Sequence, residues 1–253
     1  ELLKKAKLNA TTFLEQNRSI IEKSENFNLD VKEEFKRIFN KDIRRIELFD
    51  NSHTAGKNTV AAMVVYEDFK PLKKAYRLYK LEDGADDLKS MEEVLYRRYF
   101  RLIKDNLVKP DLIIVDGAKN QINVAKKVLS SLQLDITLVG LGKDEHHNTS
   151  YLMNDDCDII EVRKDSNLFF FLTNMQDEVH RFAISYHRKL RSKSSIKSIL
   201  DDVKGLGDKR KLILRRKYNS IAAMRQASIE ELKEMLPNDV ANNLYDKLHE
   251  EEG

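Results

Sequence analysis

The chain has 253 residues, 41% of them hydrophobic and 34% charged, with a formal net charge of +3. That length buries a sizeable core and fits one large domain with a smaller one, and the near-neutral balance leaves any polyanion binding to local charge. No run of 18 apolar residues is present, which excludes a membrane-spanning helix; the single cysteine, Cys157, excludes an internal disulfide or a Cys-rich metal site and fits a reducing cytoplasm.

Residues 1 to about 42 read as a helical connector, with Leu2, Leu3, Ala6 and Leu14 on one apolar stripe and a polar break at "SENFNLD". The opening "ELLKKAKLNATTFL" lacks the apolar core of a signal peptide. It starts in mid-helix without an initiating Met, so a fragment of a longer protein is expected. Three strands follow: "RRIELFD", "NTVAAMVVYED" and "AYRLYKL". Residues 86–106 form a helix, with Leu88, Met91, Val94, Leu95, Tyr99 and Leu102 at helical spacing. "DLIIVDG" (111–117) is an apolar run between Pro110 and Gly117, which suits a central strand covered on both faces. A helix at "KNQINVAKKVLSSL", a second central strand at "DITLVGLG" and a hairpin at "SYLMNDDCDIIEV" come next.

Residues 166–192 read as a long helix with the stripe Leu172, Met175, Val179, Phe182, Tyr186 and Leu190. "SKSSIKS" (192–198) reads as a polar linker, and 199–253 as a tail of short helices. Antiparallel strands followed by alternating helices and strands are the order of a ribonuclease-H-like α/β fold. The expected organisation is therefore 1–42 connector, 43–191 α/β domain, 192–198 linker and 199–253 small helical domain.

Two strands end in an acid on the same phase. Ile46, Leu48 and Asp50 share one face, as do Leu112, Ile114 and Asp116. If the strands are parallel neighbours, both carboxylates reach the carboxyl edge of the sheet, where open α/β sheets place their ligands. Close carboxylates repel unless a cation neutralises them or one is protonated, and oxygen ligands favour Mg2+ or Mn2+. The competing account is that each Asp caps its own turn. His180 is the third candidate, one residue beyond the Val179 stripe; a helix-face histidine satisfied by solvent is its alternative. His53, His146, His147 and His187 fit the site less well. Asp86 and Asp87 open a helix, and capping accounts for one of them.

"FDNSHTAGKNTVAAMVV", "DDLKSMEEVLYRRY", "PDLIIVDGAKNQ" and "DEVHRFAISYHRK", in this order, closely resemble the C-terminal half of the UvrC family, the incising subunit of bacterial nucleotide excision repair. The resemblance covers roughly residues 40–250. It implies an RNase-H-like endonuclease domain, a tandem helix-hairpin-helix domain and a cut on the 5′ side of a lesion. It places the catalytic Asp-Asp-His set on Asp50, Asp116 and His180, and a further functional acid on Asp87 rather than Asp86. The metal is then Mg2+ or Mn2+, held by Asp50, Asp116 and His180, with His180 either a ligand or a proton carrier. Ala118 and Asn120 stand where the family usually has glycines. The family's GIY-YIG nuclease and its UvrB-docking hairpin are absent from this sequence. The partners implied are damaged duplex DNA, UvrB and, indirectly, UvrA; no membrane is involved and a monomer is expected.

Between Lys189 and Lys217 there are eleven Lys or Arg against three Asp. They surround "GLGDKR" (205–210), where Gly205, Leu206 and Gly207 open a helix and Lys209, Arg210 and Lys211 add charge. Glycines let a backbone approach a phosphate, and helix N-termini favour anions. Such a hairpin holds the DNA backbone without reading bases. A simple turn on a solvated helix is the alternative. Both glycines are expected to need a positive φ. The second hairpin is expected at "LPNDVA" (236–241), with Asn238 in place of its glycine.

Overall fold

A computed structural model of the chain describes residues 2–52, 60–82, 86–143 and 149–249. It divides into two compact units, 1–183 and 184–253.

The first unit is built on one mixed sheet. β1 (Arg45–Ser52) and β2 (Val60–Glu67) pair antiparallel. β2 in turn pairs with β3 (Lys70–Pro71) and β4 (Arg77–Lys80). On its other side β1 runs parallel to β5 (Leu112–Asp116), and β5 runs parallel to β6 (Thr137–Lys143). β7 (Thr149–Asn154) and β8 (Ile159–Glu161) continue antiparallel. The order is β3-β2-β1-β5-β6-β7-β8, with β4 also on β2. The two strands expected in the centre are there, and their unbroken apolar runs follow from helices covering both faces.

Those helices are α1 (Leu2–Phe39), α2 (Asp87–Lys104), α3 (Lys119–Ser131) and α4 (Asn167–Asp202). Alternation along β1 decides which helix each side chain meets. Phe49 packs on Tyr99 of α2, with ring centroids 6.1 Å apart. Glu47, on the same face, is fully buried and accepts hydrogen bonds from Arg98 Nε at 3.0 Å and Tyr99 Oη at 3.2 Å. Ile46, Leu48 and Asp50 therefore point to the opposite face. There Tyr66, the partner of Ile46, meets Phe171 of α4, and Phe171 meets Phe35 of α1.

Glu47 ties the sheet to α2 through a buried ion pair. Glu47→Ala leaves the Arg98 guanidinium buried without its carboxylate, and the expected loss of stability is about 3–5 kcal/mol. A chemical-denaturation midpoint that moves down with unchanged slope is the check; Glu47→Gln, which keeps the shape and acceptor oxygen, should lose less.

Two expected breaks are not breaks. α1 runs through 24–30 because that segment holds neither Gly nor Pro, and Val31 and Phe35 just beyond it are buried. The stripe of Leu2, Leu3, Ala6 and Leu14 falls outside the described side chains. Residues 192–198, expected to be a linker, are helical within α4. Again no helix breaker is present, and Ile196 is buried in the second core. α4 thus supplies Leu172, Met175 and Val179 to the first core and Ile196 and Leu200 to the second.

The second unit is all helical: the end of α4, then α5 (Asp208–Lys217), α6 (Ile221–Arg225), α7 (Ile229–Lys233) and α8 (Asn238–His249). Ser220 and Ser228 cap α6 and α7, accepting from the backbone N–H of Ala223 and Glu231. Leu206, Leu214, Leu232, Leu236 and Leu244 meet in one small core. Among the described residues no helix is long and apolar enough to cross a membrane.

Candidate metal centre

β1 and β5 are parallel neighbours with Phe49 beside Val115. The next residue in each strand is an acid, Asp50 and Asp116, on the face covered by α4. Asp50 is 7% exposed and the Asp116 side chain 3% exposed. α4 brings His180 to them. Its Nε2 lies 3.2 Å from Asp116 Oδ2 and 3.5 Å from Asp50 Oδ2. One ligand atom from each of the three residues falls within 4.8 Å of the other two.

This geometry fits a divalent ion. Donor atoms about 2.1 Å from one ion and at right angles stand about 3 Å apart, close to the spacings from His180. Two carboxylate oxygens and one imidazole nitrogen form a donor set that a divalent metal can use. The His180 side chain is 40% exposed, so the site is open on that side.

A model of the UvrC RNase H endonuclease domain matches residues 36–184, more than half of the 253. The chain belongs to this UvrC family. Its first unit is accordingly a nuclease domain. Solved structures with some likeness include Endonuclease V of Ciona intestinalis bound to a DNA 23-mer containing an inosine followed by a ribo-adenosine, at TM-score 0.31 and 15% identity over 41% of this chain and 48% of that one. The catalytic domain of human Endonuclease V gives TM-score 0.31 and 16% identity over 47% and 61% of the two chains. Argonaute of Marinitoga piezophila with guide RNA and target DNA gives 0.29 and 17% over 42% and 17%. The chain thus spans less than two thirds of each of these proteins.

Further side chains surround this candidate site in the UvrC-family domain. Gln176, 7% exposed, donates its Nε2 to Asp116 Oδ1 at 2.8 Å. It stands four residues before His180, on the same helix face; that spacing was the available signal. Asn51, which follows Asp50 and faces α2, donates to the Asp87 carbonyl oxygen at 2.8 Å. This bond ties the start of α2 to the end of β1. Asp86 is the N-cap, accepting from the Leu88 N–H at a long 3.5 Å. Asp87 opens α2 beside the site, but its carboxylate is not among the two carboxylates and one imidazole that converge.

Ala118 precedes α3 and packs against the core, and Asn120 is exposed in its first turn, so neither replaced glycine disturbs β5 or Asp116. His187 is buried beside the Tyr186 ring; burial, then the Arg191 charge, pushes its pKa below the usual value. His53, His146 and His147 lie outside the described residues.

In the second unit the two glycines of "GLG" differ. Gly205 has φ +80°, and a Cβ there would lie 3.1 Å from Val240 Cγ2. Gly207 is extended, at φ −74° and ψ 162°, and a Cβ on it would meet nothing within 4 Å. The expectation of a positive φ therefore holds at Gly205 and fails at Gly207, which is simply the N-cap of α5. Lys209 and Arg210 are exposed, whereas Lys211 Nζ is drawn 2.8 Å from Asp201 Oδ1, which holds that carboxyl below its usual pKa.

The turn before α8 repeats part of this backbone pattern. The Lys211 N–H donates to the Gly207 carbonyl, and the Ala241 N–H donates to the Pro237 carbonyl in the same relation. Leu206 and Leu236 are each the buried residue just before. Pro237 is thus the counterpart of Gly207, not Asn238. Pro237 offers no N–H to an anion, and the first turn of α8 carries Asp239 in place of the Lys209–Arg210 pair.

Proposed function

We propose that this chain is a divalent-metal-dependent DNA endonuclease that makes the 5′-side incision beside a lesion in nucleotide excision repair. The convergence of Asp50, Asp116 and His180 at the sheet edge carries the reading, together with the family of the domain. Asp50 and Asp116 would hold Mg2+ or Mn2+, with His180 Nε2 as the third donor, which would tilt the preference toward Mn2+. When bound, the ion stabilises charge on the scissile phosphate and makes hydroxide available near neutral pH. The half-exposed side of His180 leaves room for a phosphodiester to approach. Asp87, at the mouth of α2, serves as an additional acid for substrate-side water or metal. UvrB, with UvrA before it, delivers the lesion, so lesion choice lies outside this chain.

In the same reading the first hairpin of the second unit holds DNA backbone through the Leu206–Gly207 main chain, Lys209 and Arg210, with Lys211 placed by Asp201. Binding is indifferent to sequence and falls with salt. The second hairpin contributes little.

The reading is tested with a 5′-labelled damaged duplex, UvrA, UvrB and the full-length protein carrying this sequence. The expected result is a 5′-side nick that disappears with EDTA and returns with Mn2+ or Mg2+. A nick that is indifferent to chelation, or cleavage confined to RNA in hybrids, would refute it.

The two glycines separate the hairpin's fold from its contact with DNA. Gly205→Ala forces a side chain into the left-handed region and should lower the stability of the second unit by about 1–2 kcal/mol. Gly207→Val should lower stability only by what a poorer N-cap costs and should weaken DNA binding, with a shallower salt dependence. Equal affinity and equal salt slope for Gly207→Val and wild type would show the basic run to be only a solvated face.

A further inference from the structure

We propose that Gln176 is a positioning residue that sets Asp116 as a one-oxygen metal ligand, so that metal affinity depends on a side chain that does not bind the ion. The inference rests on the metal reading of Asp50, Asp116 and His180 given above.

The geometry divides the two oxygens of one carboxylate. Gln176 Nε2 reaches Asp116 Oδ1 at 2.8 Å, while Asp116 Oδ2 lies 3.2 Å from His180 Nε2. A carboxylate only accepts, so the nitrogen of the Gln176 amide must face it. Turning the carboxyl group to offer both oxygens to one ion would break that hydrogen bond. The buried amide therefore holds Oδ2 toward Asp50 and His180 before any ion arrives, and less rotamer freedom remains to be lost on binding.

The residue type also matters. A Lys at 176 would neutralise part of the charge that attracts the cation. A Glu would repel Asp116. A neutral amide donor orients the carboxylate and leaves the full negative charge of the pair in place. Gln176 and His180 lie one turn apart on α4, so one helix face supplies both a donor atom and the group that aims another. Side chains behind metal ligands typically change affinity by ten- to a hundredfold.

Mn2+ titration calorimetry of the whole chain, without DNA, gives the direct readout. Gln176→Met keeps the length and removes the donor; Mn2+ affinity should fall about ten- to a hundredfold, beyond the modest drop in metal-free melting temperature that follows from taking one hydrogen bond from a buried carboxylate. Nicking in the complete assay should recover when Mn2+ is raised, because the metal requirement changes and the saturated rate does not. In an Asp116→Asn background the same substitution should add nothing to the loss of Mn2+ affinity, since it acts through Asp116. Gln176→Lys, which keeps a donor but adds a positive charge, should weaken Mn2+ at least as much. Unchanged Mn2+ affinity in either single variant overturns the proposal. Wild-type protein that binds no Mn2+ removes the metal reading of the triad itself, and this inference with it.

Discussion

Asp50→Asn and Asp116→Asn are each expected to abolish 5′-side nicking while DNA binding persists. Each substitution keeps the shape of the side chain and removes a negative charge from a pair that is nearly out of contact with water. In Asp116→Asn the new amide still accepts from Gln176 through its own carbonyl oxygen, so the local packing survives. The metal-free protein should be as stable as wild type or slightly more so, because two close buried carboxylates repel. The loss of one preorganised charged group at a reacting phosphate is worth a hundredfold or more, and a lost ligand adds to it. The comparison needs three measurements on each variant: nicking with the complete repair machinery, affinity for duplex DNA, and thermal melting. Variants that keep nicking would return both acids to the role of turn caps. Variants that lose stability and activity together would point the same way.

His180→Ala is expected to reduce nicking by at least about a hundredfold without unfolding the domain. The ring is 40% exposed, so truncation removes little buried apolar surface. Its weight lies instead in Nε2, the atom within 3.5 Å of both carboxylates. A structural histidine on α4 would behave differently: melting temperature and activity would decline in proportion. A third donor atom predicts a raised Mn2+ requirement with a melting temperature near wild type. Neighbouring Val179 offers the contrast, since it is fully buried and Val179→Ala should cost stability first.

Much of this site could be read from the chain. Strand alternation put Asp50 in phase with Ile46 and Leu48, and Asp116 in phase with Leu112 and Ile114, and β1 and β5 proved to be parallel neighbours. His180 came from its place beside the helical stripe and from the four family motifs. Gln176 did not, because a lone Gln on an amphipathic helix carries no local mark of its partner. Glu47 was likewise silent: an acid inside an apolar strand makes sense only once Arg98, 51 residues away, is seen against it. Composition alone reads 192–198 as a linker, yet the segment is helical within α4. Polar residues without Gly or Pro are compatible with helix, and the burial of Ile196 in the second unit keeps them helical.

The sequence by itself determined what period and local chemistry determine. It set the central apolar strands, the phase of the two acids, the helix that carries His180, and the basic turn at Gly205–Arg210. Those features depend on neighbours a few residues apart. The tertiary structure decided everything that depends on rotation and register between distant elements. It chose which oxygen of Asp116 faces Gln176 and which faces His180. It turned Lys211 to Asp201, and it placed Pro237, without an N–H, where the first hairpin has Gly207. Distances of 2.8 and 3.2 Å between residues about sixty positions apart are fixed by how α4 packs on β5, and no local pattern encodes that packing.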